Sequence, residues 1–258
     1  MTLAQSFKLL SGYEIPAVGL GTWSGYRHID AAAIYDNEKE VGEGVKASGV
    51  PRKDIFITSK LWNTHHKAED VEIALDITLK DLQTDSVDLC LIHWPVSFKK
   101  KDDTTRFPLH PGTEAVDVID VPVAETWKAM EALVKKGKIR TIGVSNFTHE
   151  KIENLWKTAE IRPAVNQIEA HPYLQRPGLL AWCKERGIVV EAYSPLANNI
   201  YNLPRAVDDP TIAELAKSLG KEPAQLLISW CLQRGTVVLP KSVTPSRIEK
   251  NFEVFEIP

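Results

Sequence analysis

The chain has 258 residues, 43% hydrophobic and 25% charged, which excludes a disordered, collagen-like or coiled-coil protein and allows a core that needs no staples. With 31 Lys+Arg against 34 Asp+Glu the formal net charge is −3, so no long-range positive field points to nucleic acid or an anionic membrane. The partner expected from this balance is a small molecule.

Short apolar, β-rich runs alternate with amphipathic stretches along the chain. Strands are predicted over 17–21, 26–32, 55–61, 87–94, 139–146, 165–169, 188–195 and 236–242. Between them helices are predicted over 38–48, 68–83, 124–136, 149–158 and 178–186, then the pair 211–219 and 223–234, with a further helix starting at 245–252. Trp127, Met130, Glu131, Leu133 and Val134 recur at helical spacing before Lys135, Lys136 and Gly137, a basic last turn with a glycine stop. Leu75, Ile77, Leu79 and Leu82 give another helix with one apolar face. Eight strands alternating with helices predict a parallel α/β sheet in one domain spanning 1–258.

One connection does not fit. Only Thr22, Trp23, Ser24 and Gly25 separate the first two strands, whereas a parallel crossover needs about a dozen residues or more. The expectation is that crossover residues are missing between Ser24 and Gly25, and that the cover after the last helix stops short at Pro258. Nothing in the first ten residues places a basic segment ahead of an apolar stretch, and no run of about 18 uncharged apolar residues occurs. Cys90, Cys183 and Cys231 each sit in an apolar run and read as buried thiols, not as a disulfide set or metal pairs. Together these features predict a reducing, cytoplasmic setting.

Polar residues stand where apolar strands end: Asp30, Lys60, His93 and the pair Ser145-Asn146. In an α/β barrel those carboxyl ends converge on one face, so an acid, an ammonium, an imidazole and an amide would share one mouth. Taken singly, Asp30 could cap the turn before Tyr35, Lys60 could snorkel and His93 could be a satisfied core histidine.

Gly19-Leu-Gly-Thr-Trp23, Ile29-Asp-Ala-Ala-Ala-Ile-Tyr35, Ser59-Lys-Leu-Trp62, Leu91-Ile-His-Trp-Pro95, Ile142-Gly-Val-Ser-Asn-Phe147, Asn166-Gln-Ile-Glu169, Ala192-Tyr-Ser-Pro-Leu196 and Leu239-Pro-Lys-Ser-Val-Thr244 follow in order. This set resembles the aldo-keto reductases through essentially the whole chain, and in detail the fungal glycerol dehydrogenases and the glyceraldehyde, xylose or arabinose reductases. The resemblance implies a single-domain (β/α)8 TIM barrel and an NADP-dependent enzyme that reduces aldehydes or sugars and runs in reverse on polyols such as glycerol. It implies Tyr35 as proton donor, Lys60 and Asp30 as its tuning pair, and His93 as the group that orients the carbonyl. A phenol with a pKa of about 10 is a poor acid at neutral pH, and a neighbouring ammonium favours the phenolate.

The same resemblance puts Thr22, Ser145, Asn146 and Gln167 at the nicotinamide end of the cofactor, with Tyr193 stacked on the ring. Ser194 and Leu196 line the pyrophosphate path. Lys241, Ser242, Val243, Thr244 and Arg247 meet the adenosine 2′-phosphate, which favours NADP(H) over NAD(H), since two cations with hydroxyls suit a dianion. Asn251 contacts adenine, while Lys250 stands where many members carry a glutamate. Trp23, Trp62 and Trp94 join His93 around the substrate. Of the segment 97–116, the charge run Lys99-Lys100-Lys101 reads as solvated. The family implies a monomer or weak dimer.

Rival readings differ at particular residues. Tyr35-x-x-x-Lys39 matches the pair of the short-chain dehydrogenases, but Gly19-Leu-Gly21 lacks the third glycine and the following helix of a dinucleotide turn. His65-His66 are adjacent and expected to point apart, so no metal is expected. The rival of another class is a non-catalytic nicotinamide-binding subunit or redox sensor on the same barrel.

Overall fold

The computed structural model describes residues 3–19, 26–197 and 203–258, so Thr22, Trp23 and the Ser24-Gly25 junction lie outside the described residues. The chain sorts into two compact units, Met1–Ile29 with Gln167–Pro258, and Asp30–Asn166.

The first unit opens with an antiparallel hairpin of β1 (Ser6–Lys8) and β2 (Glu14–Pro16), in which Phe7 faces Ile15. The chain then runs parallel to a later strand, Val18 beside Val238. Gly19 allows that approach: a Cβ there would lie 2.6 Å from a Leu239 methyl and 2.8 Å from the His28 ring. Eight residues, 20–27, separate Gly19 from the next strand, β3 (His28–Asp30), fewer than the dozen or so that a parallel crossover needs.

In the second unit, β4 (Phe56–Leu61) and β5 (Val87–Ile92) are buried along their whole length, as their continuous apolar runs predict. They pair in parallel with Lys60 beside Leu91, and β5 pairs with β8 (Ile139–Ser145), Ile92 beside Val144. Asp30 at the end of β3 is followed by Ala31, whose N–H donates to the Thr58 carbonyl at 2.9 Å, while Ala164 N–H donates to Ile142 at 3.0 Å ahead of β9 (Val165–Glu169). Four helices cover these strands: α1 (Glu38–Ala47), α2 (Ala68–Asp81), α3 (Val123–Lys135) and α4 (His149–Trp156). The stop after α3 is the predicted one. Gly137 takes φ +76°, and Gly137 and Lys138 N–H groups donate to the Val134 and Leu133 carbonyls, a closure that a side chain at 137 would strain. At the amino ends of the strands the buried Asp88 accepts from Arg52 at 2.8 Å, Arg140 at 2.7 Å and the Ile57 N–H at 2.9 Å, clamping β4, β5 and β8 together.

The lysine run departs from expectation. Two short strands, β6 (Ser97–Phe98) and β7 (Val118–Ile119), pin the segment at its base. Asp102 Oδ1 accepts from the N–H groups of Thr104 and Thr105 and folds the run back on itself. Lys100 is thereby drawn out of solvent onto Asp70 at 2.6 Å and Asp103 at 2.8 Å; only its flanking lysines keep the solvated role.

The remainder of the first unit holds the rest of β9, then α5 (Pro177–Glu185), β10 (Val189–Tyr193), α6 (Pro210–Ser218), α7 (Pro223–Gln233), β11 (Val237–Leu239) and α8 (Pro245–Phe252). β10 and β11 are parallel, Glu191 beside Val237. Asp209 caps α6 by accepting from Thr211 N–H at 2.7 Å, and proline opens each of α5, α6, α7 and α8, fixing φ at a position with no N–H to satisfy. The predicted strands overrun at their carboxyl ends because the chain turns there: Asn146, Ser194 and Ala197 adopt φ +63°, +49° and +53°. All three cysteines are buried free thiols. A cavity of about 810 Å³ lies between the N-terminal hairpin, Val18, Arg27 and the stretch from Phe252 to Glu256.

Candidate active site

Parallel pairing in the second unit brings the carboxyl ends of β3, β4, β5 and β8 to one edge. Lys60, a buried lysine, donates to Asp30 Oδ2 at 2.6 Å and to the Ala31 carbonyl at 2.9 Å. A cation in that position is held by a charge and a carbonyl at once, so its ammonium has one fixed place. Tyr35 ends a single 3-10 turn, Ala33–Tyr35, and is half exposed, with its ring centroid 5.1 Å from Lys60 Nζ. His93 follows β5 and sets its ring edge-on to Tyr35 at 6.1 Å. Acid, ammonium, phenol and imidazole therefore do meet, and Lys60, being buried, does not snorkel. Lys39, the rival partner of Tyr35, is exposed on α1.

Burial, reinforced by the Lys60 ammonium, pushes the His93 imidazole down to about 3, so the ring is neutral at working pH. His66 is pushed down to about 4, again by burial. The unfolded chain takes up protons on both rings near pH 6.5, while the folded chain takes them up only near 3–4. Stability must therefore rise with pH across that window and fall on acidification, by about 2 kcal/mol for each ring at pH 5. Urea unfolding at pH 8 and pH 5 measures this, and His66→Gln should remove about half of the difference attributable to the two rings. A stability that does not change between those pH values would show that both rings titrate normally. His65 and His66 point apart as expected, to Asp103 at 3.3 Å and to Ser97 at 2.9 Å.

Around His93 the wall is aromatic. Trp62 lies edge-on to His93 at 5.2 Å, to Phe98 at 6.0 Å and to Phe107 at 5.4 Å, and its Nε1 donates to the Arg106 carbonyl at 2.7 Å. Trp94 is 40% exposed beside it in sequence. Arg106 also donates to Asp36 Oδ1 at 3.0 and 2.8 Å, fastening the 97–119 segment next to Tyr35. Sequence reasoning missed Phe98, Arg106 and Asp36 because a loop's contact partners have no periodicity to read. Ser145 is buried at the end of β8, and Asn146 donates from Nδ2 to the His93 carbonyl at 3.1 Å and to Ser145 Oγ at 3.1 Å.

In the first unit, Gln167 is buried on β9 and donates from Nε2 to Glu191 Oε2 at 2.7 Å. Tyr193 and Ser194 close β10, with Leu196 beyond them, all partly exposed. Lys241, Val243, Thr244 and Arg247 are exposed ahead of and within the first turn of α8, and Ser242 Oγ accepts from Thr244 N–H at 3.1 Å. Neither Lys241 nor Arg247 pairs with a carboxylate among the described residues. Lys250 pairs with Glu222, the residue that precedes α7; Asn251 is buried.

The aldo/keto reductase family model matches residues 22–258. The chain belongs to the aldo/keto reductase family. It is 44% identical over 282 positions to human aldo-keto reductase family 1 member A1, covering 98% of this chain and 86% of that one. An oxidoreductase of Schizosaccharomyces pombe is 47% identical over 269 positions, covering 96% and 83%. Aldose reductase from Schistosoma japonicum superposes with a TM-score of 0.90 at 40% identity, covering 98% of this chain and 88% of that one. Alignments longer than the 258 residues of this chain mean that relatives carry residues it lacks. The fold class is α/β, the (β/α)8 barrel. As a member of this family the protein is an oxidoreductase that uses a nicotinamide cofactor and acts on small aldehydes or aldoses. Among the described residues no helix is long and apolar enough to cross a membrane.

Proposed function

We propose that this aldo/keto reductase reduces glyceraldehyde, a pentose or a similar aldehyde with NADPH in preference to NADH, and oxidises polyols such as glycerol in reverse. The observation that carries the reading is the Asp30–Lys60–Tyr35–His93 cluster, with Lys60 Nζ fixed by two oxygens and 5.1 Å from the Tyr35 ring. Tyr35 gives its phenolic proton to the oxygen of the carbonyl as charge develops there, and the adjacent ammonium stabilises the phenolate that remains. His93, neutral, orients that oxygen by hydrogen bonding, and Trp62 and Trp94, with Trp23, keep water from it. Asp30 holds Lys60 in place.

The residues present fit the cofactor. Lys241 and Arg247, neither paired with a carboxylate among the described residues, stand with the hydroxyls of Ser242 and Thr244 and the backbone of Val243 at the start of α8, a donor set matched to a phosphate dianion. Bound nicotinamide supplies the hydride at its C4. By the resemblance, Ser145, Asn146 and Gln167 would hold its carboxamide, Tyr193 would pack on the ring, Ser194 and Leu196 would follow the pyrophosphate, Asn251 would meet adenine, and Thr22 would add a further cofactor contact. Lys241→Ala with Arg247→Ala should raise the Kd of NADPH by about 10- to 100-fold and leave that of NADH within about twofold. Fluorescence titration checks it, and equal losses for both nucleotides would place the 2′-phosphate elsewhere.

Turnover of glyceraldehyde and a pentose panel with NADPH and NADH tests the reading as a whole. NADPH binding without turnover of any aldehyde would favour the non-catalytic subunit. We place the enzyme in the cytoplasm on its three buried free thiols, and the family resemblance favours a single-domain monomer or weak dimer.

A further inference from the structure

A fully buried carboxylate stands in the first unit at a position that the proposed chemistry leaves unused. Glu191, in the middle of β10, interrupts an otherwise apolar run and is 0% exposed. One of its oxygens, Oε2, takes a hydrogen bond from Gln167 Nε2 at 2.7 Å; the other, Oε1, faces His28 Nε2 at 3.6 Å. His28 is in turn fixed on its far side, with Nδ1 3.3 Å from the Pro16 carbonyl. A carbonyl can only accept, so Nδ1 carries the hydrogen there. Whichever of His28 Nε2 and Glu191 Oε1 bears a proton, Oε2 remains an acceptor.

We infer that Glu191 is a positioning residue that sets the orientation of the Gln167 amide and thereby selects the hydrogen-bonding pattern offered to the nicotinamide carboxamide. A side-chain amide is nearly symmetric in shape and can present either its NH₂ or its oxygen. An acceptor-only oxygen at 2.7 Å removes that choice, because only the NH₂ end can face it. The oxygen of Gln167 is then the end turned the other way, toward a cofactor group that donates. The carboxamide NH₂ of nicotinamide is such a group. The inference rests on the proposed reading that Gln167 holds the carboxamide. Glu191 touches neither cofactor nor substrate in this account; it acts through Gln167. An acid buried in the middle of a strand costs free energy unless it is compensated; here Gln167 supplies a hydrogen bond to Oε2, and the His28 ring faces Oε1 at 3.6 Å.

The test compares NADPH with its reduced 3-acetylpyridine analogue, which has the same shape at that ring position but a methyl ketone with no N–H. Wild-type protein should bind NADPH at least fivefold more tightly than the analogue. Glu191→Gln keeps the volume but offers both a donor and an acceptor, so Gln167 can turn and meet the ketone oxygen with its NH₂; the preference should fall at least threefold. Gln167→Leu should weaken NADPH and abolish the preference. If Gln167→Leu leaves both unchanged, Gln167 does not hold the carboxamide and the underlying reading fails. If Gln167→Leu has its effect but Glu191→Gln keeps the wild-type preference, the role of Glu191 is overturned alone. Where Glu191→Gln by itself does not fold, His28→Gln with Glu191→Gln, which replaces both partners by neutral amides, is titrated the same way. A merely structural Glu191 would weaken both nucleotides equally.

Discussion

Tyr35→Phe is expected to lower kcat for aldehyde reduction by about 10²- to 10⁴-fold while the Kd of NADPH stays within about twofold. The substitution removes one oxygen from a half-exposed ring whose hydroxyl makes no hydrogen bond with the described residues, so nothing in the fold depends on it. The ring itself remains beside Lys60 and His93. Steady-state kinetics with a fluorescence titration separates the two effects. A variant that kept more than about a tenth of wild-type kcat would move the proton donor to another residue.

Lys60→Met is expected to abolish turnover and to cost about 3–5 kcal/mol in urea unfolding, because it removes one partner from a buried ion pair. The Lys60 side chain is fully buried and the Asp30 carboxylate is 13% exposed, so the carboxylate left behind has little water to turn to. The Ala31 carbonyl loses its donor as well. Asp30→Asn added to Lys60→Met removes the stranded charge and should recover at least half of the lost stability, with no return of activity. Recovery of turnover in the double variant would mean that the ammonium acts only by keeping Asp30 in place. No recovery of stability would mean that the cost comes from packing of the lysine stem.

Much of this site is legible in the chain itself. Asp30, Lys60, His93 and Ser145 each stand at the carboxyl end of an apolar run, the edge on which a parallel α/β barrel gathers its polar groups. The glycine stop at Gly137 and the proline starts at 210, 223 and 245 are local signals read within a few residues. The environment of Lys100 is not legible in that way. Its partners are Asp70, thirty residues back, and Asp103, and only the turn at Asp102 brings them together. The aromatic wall has the same character: Trp62, Phe98 and Phe107 lie within a 46-residue span but on different elements, so no spacing rule links them. Lys250 could be seen in sequence as a departure from the family, yet its pairing with Glu222, ahead of α7, was not visible.

By itself the sequence determined the alternation of strands and helices, the family, and which residue types stand at the strand ends, because hydrophobic periodicity and short motifs are local properties of the chain. It also exposed the four-residue first connection, Thr22 to Gly25, since a crossover length is a matter of counting. Tertiary structure alone decided which of those residues touch. The Lys60–Asp30 bond, the edge-on approach of His93 to Tyr35 and the His28–Glu191–Gln167 chain each join strands far apart in sequence. The physical reason is that parallel pairing sets the register between strands, and register, not local propensity, determines which buried polar atoms can satisfy one another.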